Sequence, residues 1–231
     1  MKLVSFANKV LQSTNKLVGW KNLNPFNLPP FTLRLQYKEG ITPELYGSGQ
    51  YAKGTITQVS VSPNIWDWTY ENPDWTAPHG ISIVPGTPEH DEGGCDTHLS
   101  NLIAVLGGNT TGVTRMNQLL VCAWDLEYCA LFDTSHVEDF HGFMENYDSA
   151  VKDVPLKEIP DFDFRSAKYV TFAFLNLVNV DTGILSTYNK LAALGNQIVT
   201  HVDTFYNCGS QTVQGAAELA QIPSSWGGTG A

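Results

Sequence analysis

Nine consecutive residues, His90-Asp91-Glu92-Gly93-Gly94-Cys95-Asp96-Thr97-His98, bring together two histidines, a cysteine and three acids. Imidazole, thiolate and carboxylate are the side chains that hold zinc, so His90, Cys95 and His98 are the candidate ligands. Their spacing matches no familiar finger, and the acids lack the alternation of an EF-hand loop. The preferred reading is a solvated loop whose Asp96 or Thr97 caps the element that follows, with no metal and no cofactor. Four aromatics form a second constellation. Trp66, Trp68 and Tyr70 alternate on one strand face, and Trp75 follows. Flat rings stack on sugars, which makes these a candidate glycan-binding platform; as large apolar groups they equally suit the inner face of a sheet. A third group, His136-Val137-Glu138-Asp139-Phe140-His141, turns Val137 and Phe140 inward at helical spacing and leaves its charged members to solvent. Cys95, Cys122, Cys129 and Cys208 read first as small buried hydrophobes, with a disulfide as the alternative. The chain contains no GxSxG, no HExxH, no phosphate-cradling glycine loop and no paired-cysteine motif, so no catalytic residue is assigned and an enzyme is not expected.

The stretch from Leu102 to Val151 must position much of this, and it repeats itself. Shifted by 24 residues, Leu102 falls on Leu126, Val105 on Cys129, Val113 on Val137, Met116 on Phe140 and Leu119 on Phe143. A period in the twenties predicts a leucine-rich-repeat solenoid, each unit one short strand plus a short helix. Such units bury their apolar faces only by stacking. Leu126 to Phe132 supplies the strand-like run, and Asp133-Thr134-Ser135 offers capping oxygens. Val137, Phe140, Phe143 and Met144 then follow at helical spacing. Beyond residue 152 the pattern is less regular, with an insertion around Lys157 to Arg165. Asp181 to Ala193 is the longest predicted helix, stopped at Leu194-Gly195. Gly215 to Ala220 is a short one, and Trp226 is placed to close the end of the stack.

The phrase LFDTSHVEDFHGFM resembles the DUF285 repeat of BspA-like leucine-rich proteins, whose units run roughly LFDTSxVxxMxxMF. VLGGNTTGVTRM and the C-terminal TFYNCGSQTVQGAAELAQIPSSWGG are similar to the same group. Phe140 departs from it, standing where methionine is usual. With LVSFANKVLQSTNKLVG at the start and SPNIWDWTYENPDW in the middle, the chain looks like the members encoded by phages of gut bacteria. The resemblance implies a repeat fold and a place on a bacterial or phage surface.

Upstream, residues 1–20 read as a hairpin, Leu3–Leu11 with Lys16–Trp20. It is basic in a chain whose formal net charge is −10. It is therefore a candidate arm for attachment to other virion proteins. KNLNPFNLPP, residues 21–30, reads as a linker by composition. FTLRLQY, residues 31–37, alternates as a half-buried strand, and GTITQVSVS, residues 54–62, does so with a slip in parity that signals a bulge. The expected organisation is α+β: the arm 1–20, a β-rich domain 21–98, and a repeat domain 99–231 with a C-terminal cap.

The acidic balance argues against nucleic acid as the main partner. No apolar run approaches the roughly 20 residues that span a bilayer, so membrane insertion is not expected. Phe6-Ala7-Asn8-Lys9 interrupts any signal-peptide core of about 7–15 apolar residues. The expectation is a non-enzymatic phage virion protein, of structural or fibre type and assembled in the host cytoplasm. It would be a homo-oligomer, a trimer if a fibre, and would expose its repeats to a host cell surface or glycan. A bacterial cell-surface adhesin is the alternative, and a glycan-acting enzyme the more distant one.

Overall fold

A computed structural model describes residues 23–41, 56–70, 101–146 and 153–230. Five strands form one mixed sheet in the order β2-β3-β1-β4-β5. They are β1 (Thr32–Tyr37), β2 (Ile56–Ser62), β3 (Ile65–Tyr70), β4 (Leu102–Asn109) and β5 (Tyr128–Cys129). Strand β1 lies antiparallel to both β3 and β4, while β4 runs parallel to β5. The sheet therefore runs across the boundary expected between residues 98 and 99. The parity slip in the second strand is a register irregularity between Ser60 and Ser62.

Leu33, Leu35 and Tyr37 of β1 are buried, as their alternation predicts, but so are Thr32 and Gln36 on the other face. The expected linker is what covers that face. Phe26 lies under the Arg34 guanidinium at 4.5 Å, and Leu28 is buried. The Asn24 amide accepts from the Leu28 N–H at 2.8 Å and donates to its carbonyl at 2.9 Å. Asn109 donates to that carbonyl as well. A side chain at Gly107 would sit 3.3 Å from both Phe26 and Pro25, so the close approach needs glycine.

The strand-plus-helix solenoid is overturned. The described part of residues 99–231, which were to form it, contains β4, the two-residue β5, two short α-helices, α1 (Ile184–Ala192) and α2 (Val213–Leu219), and two 3₁₀ turns, with no strand-plus-helix unit among the described residues. What stacks on the sheet is a series of turns, four rungs covering residues 113–123, 137–146, 167–177 and 198–208. Parallel bridges join Arg115 to Asp139, Asp139 to Tyr169, and Tyr169 to Thr200. The spacing between rungs thus widens from 24 to 30 and 31 residues, and no fixed 24-residue unit is kept.

The hydrogen bonds explain the missing helices. In the second rung the N–H groups of Phe140, Gly142, Met144 and Asn146 donate forward to the carbonyls of Tyr169, Thr171, Ala173 and Leu175, at 2.8–2.9 Å. The N–H groups between them close local turns, Phe143 on Phe140 and Glu145 on Gly142. A helix would have spent every N–H on the carbonyl four residues back. The turns also need left-handed backbone. Gln118, Gly142, Phe172 and Asp203 occupy one equivalent position with φ of 52–61°, and Cys122, Asn176 and Asn207 another with φ of 56–60°. A right-handed helix cannot pass through such residues.

The core positions of the repeat nonetheless fall where the alignment puts them. Leu102, Val113, Met116, Leu119, Leu126, Val137, Phe140 and Phe143 all belong to one buried cluster. Aromatic contacts run through it, from Phe132 to Phe162 at 5.1 Å, Phe140 to Phe164 at 5.1 Å, and Phe174 stacked on Phe205 at 5.6 Å. Asp133-Thr134-Ser135 caps no helix. Thr134 instead donates to the Asp163 carbonyl at 2.8 Å and accepts the Asp163 N–H, fastening one loop to the next. Asn146, Asn176 and Asn207 make a second fastening, through amide bonds of 3.0–3.5 Å. At the far end, Trp226 stacks on His201 at 4.2 Å, and its carbonyl accepts the Phe205 N–H.

Candidate functional site

The insertion that breaks the repeat builds a cleft. Along Asp161-Phe162-Asp163-Phe164-Arg165 apolar and charged residues alternate; both phenylalanines turn into the core and the charged residues are left at the surface. Extended backbone puts neighbouring side chains on opposite faces, so one short strip anchors itself in the core through its phenylalanines and presents a polar rim. The end of α1 and the turn after it form the opposite wall with Lys190, Ala193 and Leu194, enclosing about 490 Å³.

The rim is held in place. Asp163 accepts the Arg165 Nε at 2.9 Å and the Arg165 backbone N–H at 3.1 Å. The Arg165 hydrogen bonds hold the Asp163 carboxyl below its ordinary value, against a smaller opposing effect of burial. Lys190 donates to Asp161 and, at 2.8 Å, to the Phe162 carbonyl. Gln197 donates to the carbonyls of Arg165 and Ala167 at 2.9 and 3.0 Å, tying the loop after α1 to the same strip. Acceptor carboxylates beside donor nitrogens can exchange hydrogen bonds with a neutral ligand rich in hydroxyls. The volume lies in the range of small-molecule sites. Acid catalysis is a different matter, because a proton donor in glycoside cleavage needs a raised pKa and Asp163 is shifted the other way.

Among the described residues one carboxyl is clearly raised. Glu145, on the second rung, is 3 % exposed, and burial pushes it up to about 7. Its carboxylate lies over Gly142 and Gln118; a Cβ at Gly142 would sit 2.6 Å from Oε2, so glycine serves there both for its φ of 61° and for lack of a side chain. Glu145 does not line the cleft.

Of the expected glycan platform, the structure describes the side chains of Trp66 and Trp68 alone. Trp68 is 1 % exposed and lies on Tyr37 with centroids 6.3 Å apart, so it has no ring face to offer a sugar. Trp66 is partly buried against the same core. Both rings stand opposite Leu33 and Leu35 of β1, on the sheet face that joins the core cluster. The Tyr70 backbone pairs with Ile56. Trp75 and the candidate zinc ligands His90, Cys95 and His98 lie outside the described residues, as does the arm 1–20. Among the described residues no group of three or more histidine, cysteine or acidic side chains is arranged for a metal. Cys129 and Cys208 are buried free thiols whose pKa burial raises. Cys122 is disulfide-bonded, the alternative reading for that residue.

Sequence reasoning missed Asp161, Asp163, Arg165 and Lys190. Their signal was the charged–apolar alternation of DFDFR inside an insertion, where a repeat under no packing constraint would have needed no aromatic residues. No helix among the described residues is long and apolar enough to cross a membrane. No protein-family model, no curated protein and no solved structure matches the chain.

Proposed function

We propose that the chain is a non-enzymatic structural component of a phage particle, of fibre type, that presents a rigid surface for recognition of a host cell surface or glycan. The observation that carries this reading is the division of labour within each rung. Core positions are locked by ladder and aromatic contacts, while positions between them, and the charged rim of the cleft at the insertion, lie at the surface. The resemblance of LFDTSHVEDFHGFM to repeats encoded by phages of gut bacteria supports the same reading. In it, the cleft is the recognition site, residues 1–20 attach the protein to other virion proteins, and several copies assemble so that weak sites act together.

The disulfide at Cys122 favours a final location outside a reducing cytosol. A released particle meets that condition; so does an exported adhesin, which is the second reading. Proteomics of purified particles from the source separates them. The chain is expected among the particle proteins, and its recovery from cell envelopes alone would replace the first reading with the second. Deleting residues 1–22, which stops short of the packed segment at Asn24, is expected to leave the far-UV spectrum unchanged and abolish incorporation.

A further inference from the structure

The outward face of the rungs changes character along the stack. On the first two rungs it carries Arg115, Gln118, Glu138, Asp139 and His141. On the last two it becomes apolar. Tyr169 is 39 % exposed, Val199 60 %, Val202 56 % and Tyr206 54 %, making four of the seven large apolar side chains exposed among the described residues. The ladder places them together. The Phe172 N–H donates to the Val202 carbonyl, that of Asn176 to the Tyr206 carbonyl, and that of Val199 to the Lys168 carbonyl, while Tyr169 bridges Thr200. Contiguous exposed apolar residues rimmed by polar ones mark interaction surfaces in soluble proteins.

Charge identifies the occupant. The chain carries a formal −10, so copies repel one another over most of their surface. The last two rungs point ten residues outward: Lys168, Tyr169, Thr171, Phe172 and Leu175, then Val199, Thr200, Val202, Asp203 and Tyr206. Only Lys168 and Asp203 are charged, and Lys168 is paired with Glu138 of the second rung at 2.9 Å. This face therefore carries little charge in an acidic molecule. Two copies meeting through it by a two-fold axis would bury apolar surface against apolar surface and bring no excess of like charge together.

We propose that the outward face of the third and fourth rungs, centred on Val202 and Tyr206, is where a second copy of this chain docks. The proposal takes from the assembled-particle reading only the expectation that copies meet, and its test needs no particle. The full chain is measured by light scattering and sedimentation equilibrium over a concentration series. The wild type is expected to self-associate. Val202→Asp should raise the dissociation constant at least about tenfold, by placing like charges in the contact. Tyr206→Ser, which adds no charge and serves should the first variant misfold, should weaken association in the same direction. Val213→Asp is the control, because Val213 is 94 % exposed on α2 and outside the face. A wild type that stays monomeric throughout overturns the proposal. So does an oligomer that Val202→Asp and Tyr206→Ser leave intact, or that Val213→Asp disrupts equally. Absence of the chain from particles, by contrast, would remove the phage reading and leave this contact standing.

Discussion

In the sheet, β1 lies between β3 and β4 and divides its backbone hydrogen bonds between two antiparallel neighbours. In the turn stack the first three rungs send alternate N–H groups forward to the next and close intervening ones on themselves. The sheet accepts ordinary extended residues. The stack requires left-handed backbone at Gln118, Cys122, Phe172, Asn176, Asp203 and Asn207, none of them glycine. Such residues hold an uncommon conformation only where surrounding packing and hydrogen bonds impose it. The difference teaches that the sheet is built from local preference, whereas the stack depends on rungs reinforcing one another across their interfaces.

The severest test of that contrast is Phe143→Ala. Phe143 has aromatic neighbours before and after it along the stack, Phe132 at 6.4 Å, Phe140 at 5.4 Å, Phe162 at 5.5 Å and Phe174 at 6.3 Å. Its truncation should cost roughly 3–5 kcal/mol in a denaturant melt. Hydrogen exchange should rise together at the amides of residues 116–122 and 140–146, and less in β1 and β3. Exchange confined to the second rung would mean that rungs stand independently.

Glu145 sharpens the comparison through pH. Its native carboxyl is raised to about 7 from an ordinary 4.5, so between those values the folded state binds more protons than the unfolded one. Stability associated with this group is complete below about pH 4.5 and is lost as pH rises through 7. Glu145→Gln should therefore stabilise the protein at pH 8, by up to about 3 kcal/mol, and change little at pH 4. Equal effects at both pH values would show that the carboxyl ionises freely in the fold. At the sheet, Arg34 donates two 2.7 Å bonds to Asp67 in a geometry lysine cannot copy. Arg34→Lys should cost roughly 1–2 kcal/mol and loosen the 24–28 segment that packs on it, with no change in exchange beyond the first rung.

The contrast also decides what was legible in the sequence. The alternation of FTLRLQY announced β1, and the apolar run of DTGILSTYNKLAA announced α1, because each pattern belongs to one kind of element. Val137, Phe140, Phe143 and Met144 were rightly placed in the core but wrongly placed on a helix. Paired turns repeat with nearly the spacing of a helical face, and only the backbone at positions such as Phe172 tells them apart. Glycine would have flagged those positions, and it stands at one of them, Gly142. The Asn- and Pro-rich segment around Asn24 to Leu28 looked like a connector because its composition is that of a turn. Its packing role depends on Gly107, far along the chain. The cleft escaped notice for a related reason: it joins the insertion to the end of α1, and no local pattern records that meeting.

The hydrogen-bond ladder between rungs has a consequence for growth. Most of its bonds run from the N–H groups of one rung to carbonyls of the next, and a few run back, as from Lys168 to Glu138, in the same pattern at each junction, so any interior rung can be followed by another of its kind. Trp226 ends the series by supplying a carbonyl to Phe205 in the place where the carbonyl of Thr204 serves Phe174. A duplicated rung inserted between the second and third would find both its donors and its acceptors matched, and neither the sheet nor the closing tryptophan would have to change. Length is thus a quantity that gene duplication can adjust in whole steps, moving the two ends of the molecule apart by one strand spacing of about 4.8 Å at a time.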